Sequence, residues 1–235
     1  MKFQSMQFKD KLGREDVLRD AVKKYIAGLV CVAVLLFLPA GTIAYPNGWL
    51  FIGLLFIPMF FLGIVLFVKA PELLEKRLQS RETESEQKLV IGGSLLMFLA
   101  GFILSALDFR FGWTYVPDMV VAIASVILLV SYGLYAEVMR ENAFLSRTIE
   151  VQEDQKVIDT GLYGVVRHPM YFATVLLFLS IPVVLGSWIG FLIFLVYPFL
   201  LVKRIKNEEQ VLEDGLAGYK EYKQKVRYRM IPFIW

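Results

Sequence analysis

The sequence predicts an all-α, polytopic membrane protein of about six transmembrane helices with a cytoplasmic, cofactor-binding C-terminal part. Three observations carry that prediction. Of the 235 residues, 57% are hydrophobic and 20% charged, with a mean hydropathy of +0.58, more apolar than a soluble domain of this size. The charges fall in blocks, and no Asp, Glu, Lys or Arg occurs in 25–68, 89–107, 119–136 or 170–202. The Lys and Arg residues between these runs are concentrated on alternate connections. An α-helix needs about 20 apolar residues to cross a hydrocarbon layer roughly 30 Å thick, so each run holds one or two spans.

The first part, 1–24, is polar and carries no cleavable signal pattern. Leu18, Val22 and Tyr25 fall at helical spacing, and this amphipathic segment is expected to lie along the cytoplasmic membrane surface. The second part, 25–138, holds helices one to four. Pro39, Gly41 and Pro46-Asn47-Gly48 divide its first 44 apolar residues into spans near 25–44 and 49–68. A charged loop, 69–88, leads to a third span near 89–107. A link whose Asp108 and Asp118 read as loop charges leads to a fourth near 117–138. The third part, 139–235, begins with a polar stretch containing the turn signal Asp159-Thr160-Gly161. An apolar helical hairpin over 170–203, turning at Gly186-Ser187-Trp188, and a polar, basic tail complete it.

Charge bias sets the expected orientation. Seven Lys and Arg residues precede the first span, five lie in 69–88, four in 139–168 and eight in the tail, against Arg110 alone on the opposite connections. By the positive-inside rule both termini are cytoplasmic. The net charge of +3 falls far short of a nucleic-acid-binding surface. A single cysteine, Cys31, excludes an intrachain disulfide and reads as a small packed side chain. With one histidine, His168, a His/Cys-rich zinc centre is excluded, though carboxylate-based metal binding is not, and no residue is assigned to a metal.

The chemistry concentrates around that histidine. The segment Thr160-Gly-Leu-Tyr-Gly-Val-Val-Arg-His-Pro-Met-Tyr171 precedes the hairpin, and Lys203-Arg204-Ile-Lys-Asn-Glu208-Glu209 follows it. The midpoint between His168 and Glu208 is residue 188, inside the turn. Residues equidistant from the turn of an antiparallel hairpin lie at similar depth, so His168 and Glu208 should meet at the cytoplasmic membrane boundary. The hairpin arms, about 16 residues and roughly 25 Å each, are short for a span, so each is expected to extend into its flanking cluster or sit in a thinned site. Pro169 disfavours helical geometry at His168. Arg204 and Glu208 form an i,i+4 pair on one helical face. Two adjacent glutamates near a helix end call for a cationic partner: Arg204, His168, or a ligand's ammonium or sulfonium.

At these residues the chain resembles the isoprenylcysteine carboxyl methyltransferase and phospholipid methyltransferase family of membrane enzymes. The matching elements are Gly161-Leu-Tyr163, Arg167-His168-Pro169-Met170-Tyr171, the apolar hairpin, Arg204, Glu208-Glu209 with Leu212, Tyr219-x-x-Tyr222, Val226 and a terminal Ile-Pro-Phe. The similarity covers about 150–235. The resemblance implies an S-adenosyl-L-methionine-dependent methyltransferase whose cofactor contacts are Lys156, Val157, Ile158, Tyr163, His168, Pro169, Met170, Tyr171 and Glu208. Arg204 matches the basic residue facing the methyl acceptor. Glu-Asp-Gly-Leu-Ala-Gly before Tyr219 departs from the family's more usual Phe-Gly, which leaves the register of the tail open.

The implied acceptor is lipophilic or prenylated, reached from the membrane lipid. A carboxylate would suit the Arg204 guanidinium, which can hold it in two parallel hydrogen bonds. Methylation of a phospholipid amine or a small thiol is the alternative within the same chemistry. A transporter or non-catalytic scaffold is the alternative outside it. Against transport stands the absence of charge within any predicted span, where transporters commonly carry ionisable groups.

Overall fold

The computed structural model describes residues 2–78, 85–145, 149 and 151–235, with side chains from 13 onward except those of 76 and 85–89. Seven of the basic residues counted above (Lys2, Lys9, Lys11, Lys76, Arg81, Lys88 and Arg147) lie outside the described side chains. The protein is a polytopic, all-α membrane protein, and no strand occurs among the described residues. The order is α1 (Lys2–Ala40), α2 (Pro46–Lys69), α3 (Pro71–Leu78), α4 (Ser85–Phe111), α5 (Asp118–Glu141), a 3-10 turn (Gly161–Gly164), α6 (Pro169–Val184), α7 (Trp188–Phe194), α8 (Val196–Gly215) and α9 (Tyr219–Lys225).

Five stretches are long and apolar enough to cross a membrane: Gly13–Ala40, Pro46–Lys69, Val90–Phe111, Asp118–Glu141 and Trp188–Gly215. The sixth expected span, α6, has 16 residues, or about 24 Å of helix, and falls short of that length. Prolines explain the asymmetry of the hairpin. Pro169 opens α6 at its first position, where its missing N–H costs nothing and the residue before it is steered out of the helix. The returning arm has no such stop and runs through the polar cluster to Gly215. Glu208 and Glu209 therefore lie inside α8 rather than at a helix end. The break at Leu195, between α7 and α8, precedes Pro198, which has no N–H to give the Phe194 carbonyl.

Two other expectations are corrected. The surface segment is not separate from the first span, because α1 continues through residues 24 and 25, where no proline or glycine interrupts it. Cys31 is exposed on α1 rather than packed inward. It shares the outer surface with Val30, Val34 and Leu38; apolar side chains facing hydrocarbon need no protein cover.

Where helices do pack, aromatic rings fill the interior. Phe98 on α4 meets Phe178 of α6 at 4.8 Å and Phe194 of α7 at 5.3 Å, both edge-on, an arrangement favoured by the ring quadrupoles. Phe194 is fully buried because Gly101 on α4 leaves room for its ring; a Cβ there would overlap it. At the hairpin turn Gly186 adopts φ 81°, a left-handed conformation that costs glycine little.

That turn is fastened by Asp108, which is a buried carboxylate (1% exposed) rather than a loop charge. It accepts hydrogen bonds from Thr114 N at 2.7 Å, from the Thr114 hydroxyl at 2.5 Å and from the Ser187 hydroxyl at 2.5 Å. Ser187 in turn caps α7 by accepting from Gly190 N at 2.9 Å. Close by, the Tyr45 hydroxyl donates to Leu185 O at 2.5 Å.

Candidate functional site

At the other end of the hairpin the chain brings its polar clusters together. His168, the residue before Pro169, sits outside α6 with φ −126° and ψ 61°. That extended turn lets the backbone N–H groups of Arg167 and His168 donate to Tyr228 O at 2.9 Å and Arg229 O at 2.7 Å. The tail thus runs alongside the Arg-His-Pro segment. The Arg167 side chain reinforces this by donating to the Val226 and Arg227 carbonyls at 2.7 and 2.8 Å.

The two glutamates, adjacent in sequence, have different surroundings. Glu209 is 2% exposed and accepts from Arg167 Nε at 2.7 Å and Arg229 Nε at 2.9 Å. His168 Nε2 lies 3.3 Å and Lys223 Nζ 4.0 Å from the same carboxylate. A buried charge is tolerated when paired and hydrogen-bonded in this way. Glu208 has a quarter of its side chain exposed and lies 3.8 Å from His168 Nδ1. Its carboxylate accepts from the Tyr171 hydroxyl, which itself accepts from Arg204 Nε at 2.9 Å. The i,i+4 pair is therefore bridged by a tyrosine from the facing helix.

Above Glu208 opens a cleft of about 850 Å³ including its mouth. Lys156, Val157, Ile158, Tyr163, His168, Met170, Tyr171, Arg204 and Glu208 all line it. Pro169 lies behind the wall, buried in the first turn of α6, and acts through the backbone geometry it imposes. Four further lining residues, Leu212, Leu216, Tyr219 and Tyr222, come from α8, the joint after it and α9. Tyr219 and Tyr222 stand at helical spacing in the matched motif, a signal that could have named them. The remaining wall, with Asn142, Phe144, Leu145, Ile149 and Gln155, carries no motif that could have found it.

Three phenols harden this cleft. Burial pushes the Tyr163, Tyr219 and Tyr222 hydroxyls above the ordinary tyrosine range, and for Tyr219 the Glu209 and Glu208 charges add to it. Tyr163 accepts from Asn142 Nδ2 at 3.0 Å, and Tyr222 donates to Tyr163 O at 2.7 Å. Outside the cleft, Lys225 pairs with Asp159 at 2.6 Å and holds that carboxyl below its usual range.

A second cavity, about 1850 Å³ including its openings, lies within the helical bundle. Its walls are mostly apolar and come from α2 (Met59, Leu62, Leu66), α3 (Leu74, Arg77), α4 (Val90, Phe98), α5 (Tyr135, Met139), α6 and α8. Met170, Tyr171 and Arg204 line both cavities. A polar cleft and an apolar chamber thus share one thin wall.

Comparison with known proteins points the same way for part of the chain. Residues 119–214 match the Isoprenylcysteine carboxyl methyltransferase (ICMT) family, and over that segment the chain is isoprenylcysteine carboxyl methyltransferase-like. It is also 31% identical over 91 residues to the Delta(14)-sterol reductase TM7SF2 of Mus musculus, covering 37% of this chain and 22% of that protein. The chain thus spans about a fifth of the length of that relative.

Proposed function

We propose that this chain, ICMT-like over 119–214, is an integral membrane S-adenosyl-L-methionine-dependent methyltransferase that methylates the carboxylate of a prenylated or lipid-like acceptor. The observation that carries the reading is the shared wall: a polar cleft with an accessible carboxylate abuts an apolar chamber at Met170, Tyr171 and Arg204. A polar donor and a lipophilic acceptor need such a junction.

The residues present fit the cofactor. It carries an ammonium, a carboxylate, a sulfonium and an apolar-faced purine. Glu208 offers a carboxylate with a quarter of its side chain exposed, suited to an ammonium by a charge-assisted hydrogen bond. Val157, Leu212 and Leu216 offer apolar surface, and the buried Tyr219 hydroxyl has no hydrogen-bond partner among the described residues. When bound, S-adenosyl-L-methionine supplies a methyl group already activated by its sulfonium, so no metal is required.

The chain's own work is then binding, alignment and exclusion of water. Glu208 and His168 hold the polar end of the cleft, and the carboxylate of Glu209 fixes the Arg-His-Pro segment against the tail. Arg204 stands at the junction, where its guanidinium can orient an acceptor carboxylate. Met170 and Tyr171 form the wall at which acceptor and donor would have to meet, and held geometry of this kind is the main catalytic resource for an in-line displacement. The apolar chamber keeps water from the reacting oxygen. The basic residues around this end of the bundle support a cytoplasmic position for the site.

The test is calorimetric titration of S-adenosyl-L-methionine into the purified protein, wild type beside Glu208→Ala and His168→Ala. Saturable binding by wild type, weakened in both variants, is expected. No binding by wild type ends the methyltransferase reading. Binding without transfer of labelled methyl to a prenylcysteine acceptor, but with transfer to a phospholipid amine or small thiol, changes the acceptor class only. The identity to a sterol reductase supports a second reading, reduction of a sterol-like lipid in the chamber. Titration of reduced nicotinamide dinucleotide in the same cell decides it: binding of that compound in place of S-adenosyl-L-methionine would replace the first reading.

A further inference from the structure

Tyr219 is 4% exposed and lines the cleft, yet its hydroxyl makes no hydrogen bond among the described residues. An orphaned buried hydroxyl has lost its hydration without compensation, so native structures keep few of them without a use. Its neighbour Tyr222 shows the contrast. That hydroxyl, three residues on, is spent on the Tyr163 carbonyl. The two rings touch, with centroids 5.7 Å apart, but point their oxygens at different surroundings.

We propose that Tyr219 is a ligand-contacting residue of the cleft, its hydroxyl bound to the amino-acid end of the cofactor. The inference rests on the methyltransferase reading above and deepens it. Tyr219 shares the cleft lining with His168 and Glu208. The charges acting on it most are Glu209, then Glu208, then Arg167, the groups around His168. Burial and those carboxylates keep it protonated, so it remains an O–H donor with a free lone pair. A zwitterionic amino-acid head complements both functions at once: its carboxylate accepts the O–H, and its ammonium, shared with Glu208, donates to the lone pair. The purine end of the same molecule is left to the apolar wall of Val157, Leu212 and Leu216.

Tyr219→Phe tests this with three measurements on the full-length protein in detergent. The first is thermal unfolding without ligand. Removing an unsatisfied hydroxyl should leave the midpoint equal or higher; a fall would mean that the hydroxyl has a structural partner, and would overturn the proposal. The second is the Kd for S-adenosylhomocysteine, expected to rise at least about tenfold through the loss of hydrogen bonds to charged groups. An unchanged Kd overturns the proposal. The third is the Kd for 5′-methylthioadenosine, which lacks the amino-acid end, expected to be the same for both proteins. An equal loss for both ligands overturns the assignment to the amino-acid end. Tyr222→Phe serves as control, expected to lower the unfolding midpoint by releasing the Tyr163 carbonyl. If wild type binds neither compound, the methyltransferase reading itself fails; if wild type binds and Tyr219→Phe matches it, only this inference does.

Discussion

The two ends of the final hairpin each bury a carboxylate, and they do so by opposite means. Asp108 at the turn end is surrounded by neutral donors, two hydroxyls and one backbone N–H, supplied by Thr114 and Ser187. Glu209 at the open end is surrounded by the cations Arg167, Arg229 and Lys223, with the imidazole of His168 beside them. Neutral donors suffice to close a turn, because each is already fixed in place by short-range chain geometry. Cations on the Arg-His-Pro segment, α9 and the tail do something more. They draw three separated pieces of chain onto one point and so build the far side of a cleft. With Glu209 saturated, its neighbour Glu208 is the carboxylate left partly exposed at the cleft.

That contrast can be broken by mutation, and the largest effect belongs to Glu209. Glu209→Ala leaves the buried Arg167 guanidinium without its carboxylate and should destabilise the protein by about 3–5 kcal/mol, read as a large drop in the thermal unfolding midpoint. Glu208→Ala should leave that midpoint nearly unchanged but weaken S-adenosyl-L-methionine binding by about 10- to 100-fold, measured by calorimetry. If both variants unfold alike, the division of labour between the glutamates is wrong. At the other end, Asp108→Asn keeps the shape but turns one of the two acceptor oxygens into a donor, and should cost about 1–2 kcal/mol with cofactor affinity unchanged. A change in affinity there would mean that the two ends communicate. The smallest effect is Ser187→Ala, about 1 kcal/mol; combined with Asp108→Asn its cost should be less than additive, since both remove one hydrogen bond.

The same contrast explains what could be read from the chain alone. The open end was legible because its parts are symmetric about the turn. Counting from Trp188 puts His168 opposite Glu208, and the structure sets them 3.8 Å apart. Pro169 announced the start of α6. The turn end was misread, since nothing in a local window ties Asp108 to Ser187, 79 residues away; a lone acid next to an apolar run looks like a solvated link. Lengths were also uneven to read. Helix α8 passes from lipid-compatible to polar sequence without a break, so a hydropathy boundary near Val202 is not a helix end. Cys31 shows a further limit: small and apolar says nothing about direction when the surroundings are lipid.

The thin wall at Met170, Tyr171 and Arg204 has an evolutionary reading under the function proposed here. The cleft side is built almost wholly from residues after 141. The chamber side draws heavily on α2, α3 and α4, which precede the family-matched segment 119–214. Mutations in those early helices can reshape what the chamber admits while leaving the donor machinery intact. Drift in the first half of such a chain is then diversification of clientele rather than loss of constraint. Grafting α2–α4 from one relative onto another would be the natural way to exchange acceptors.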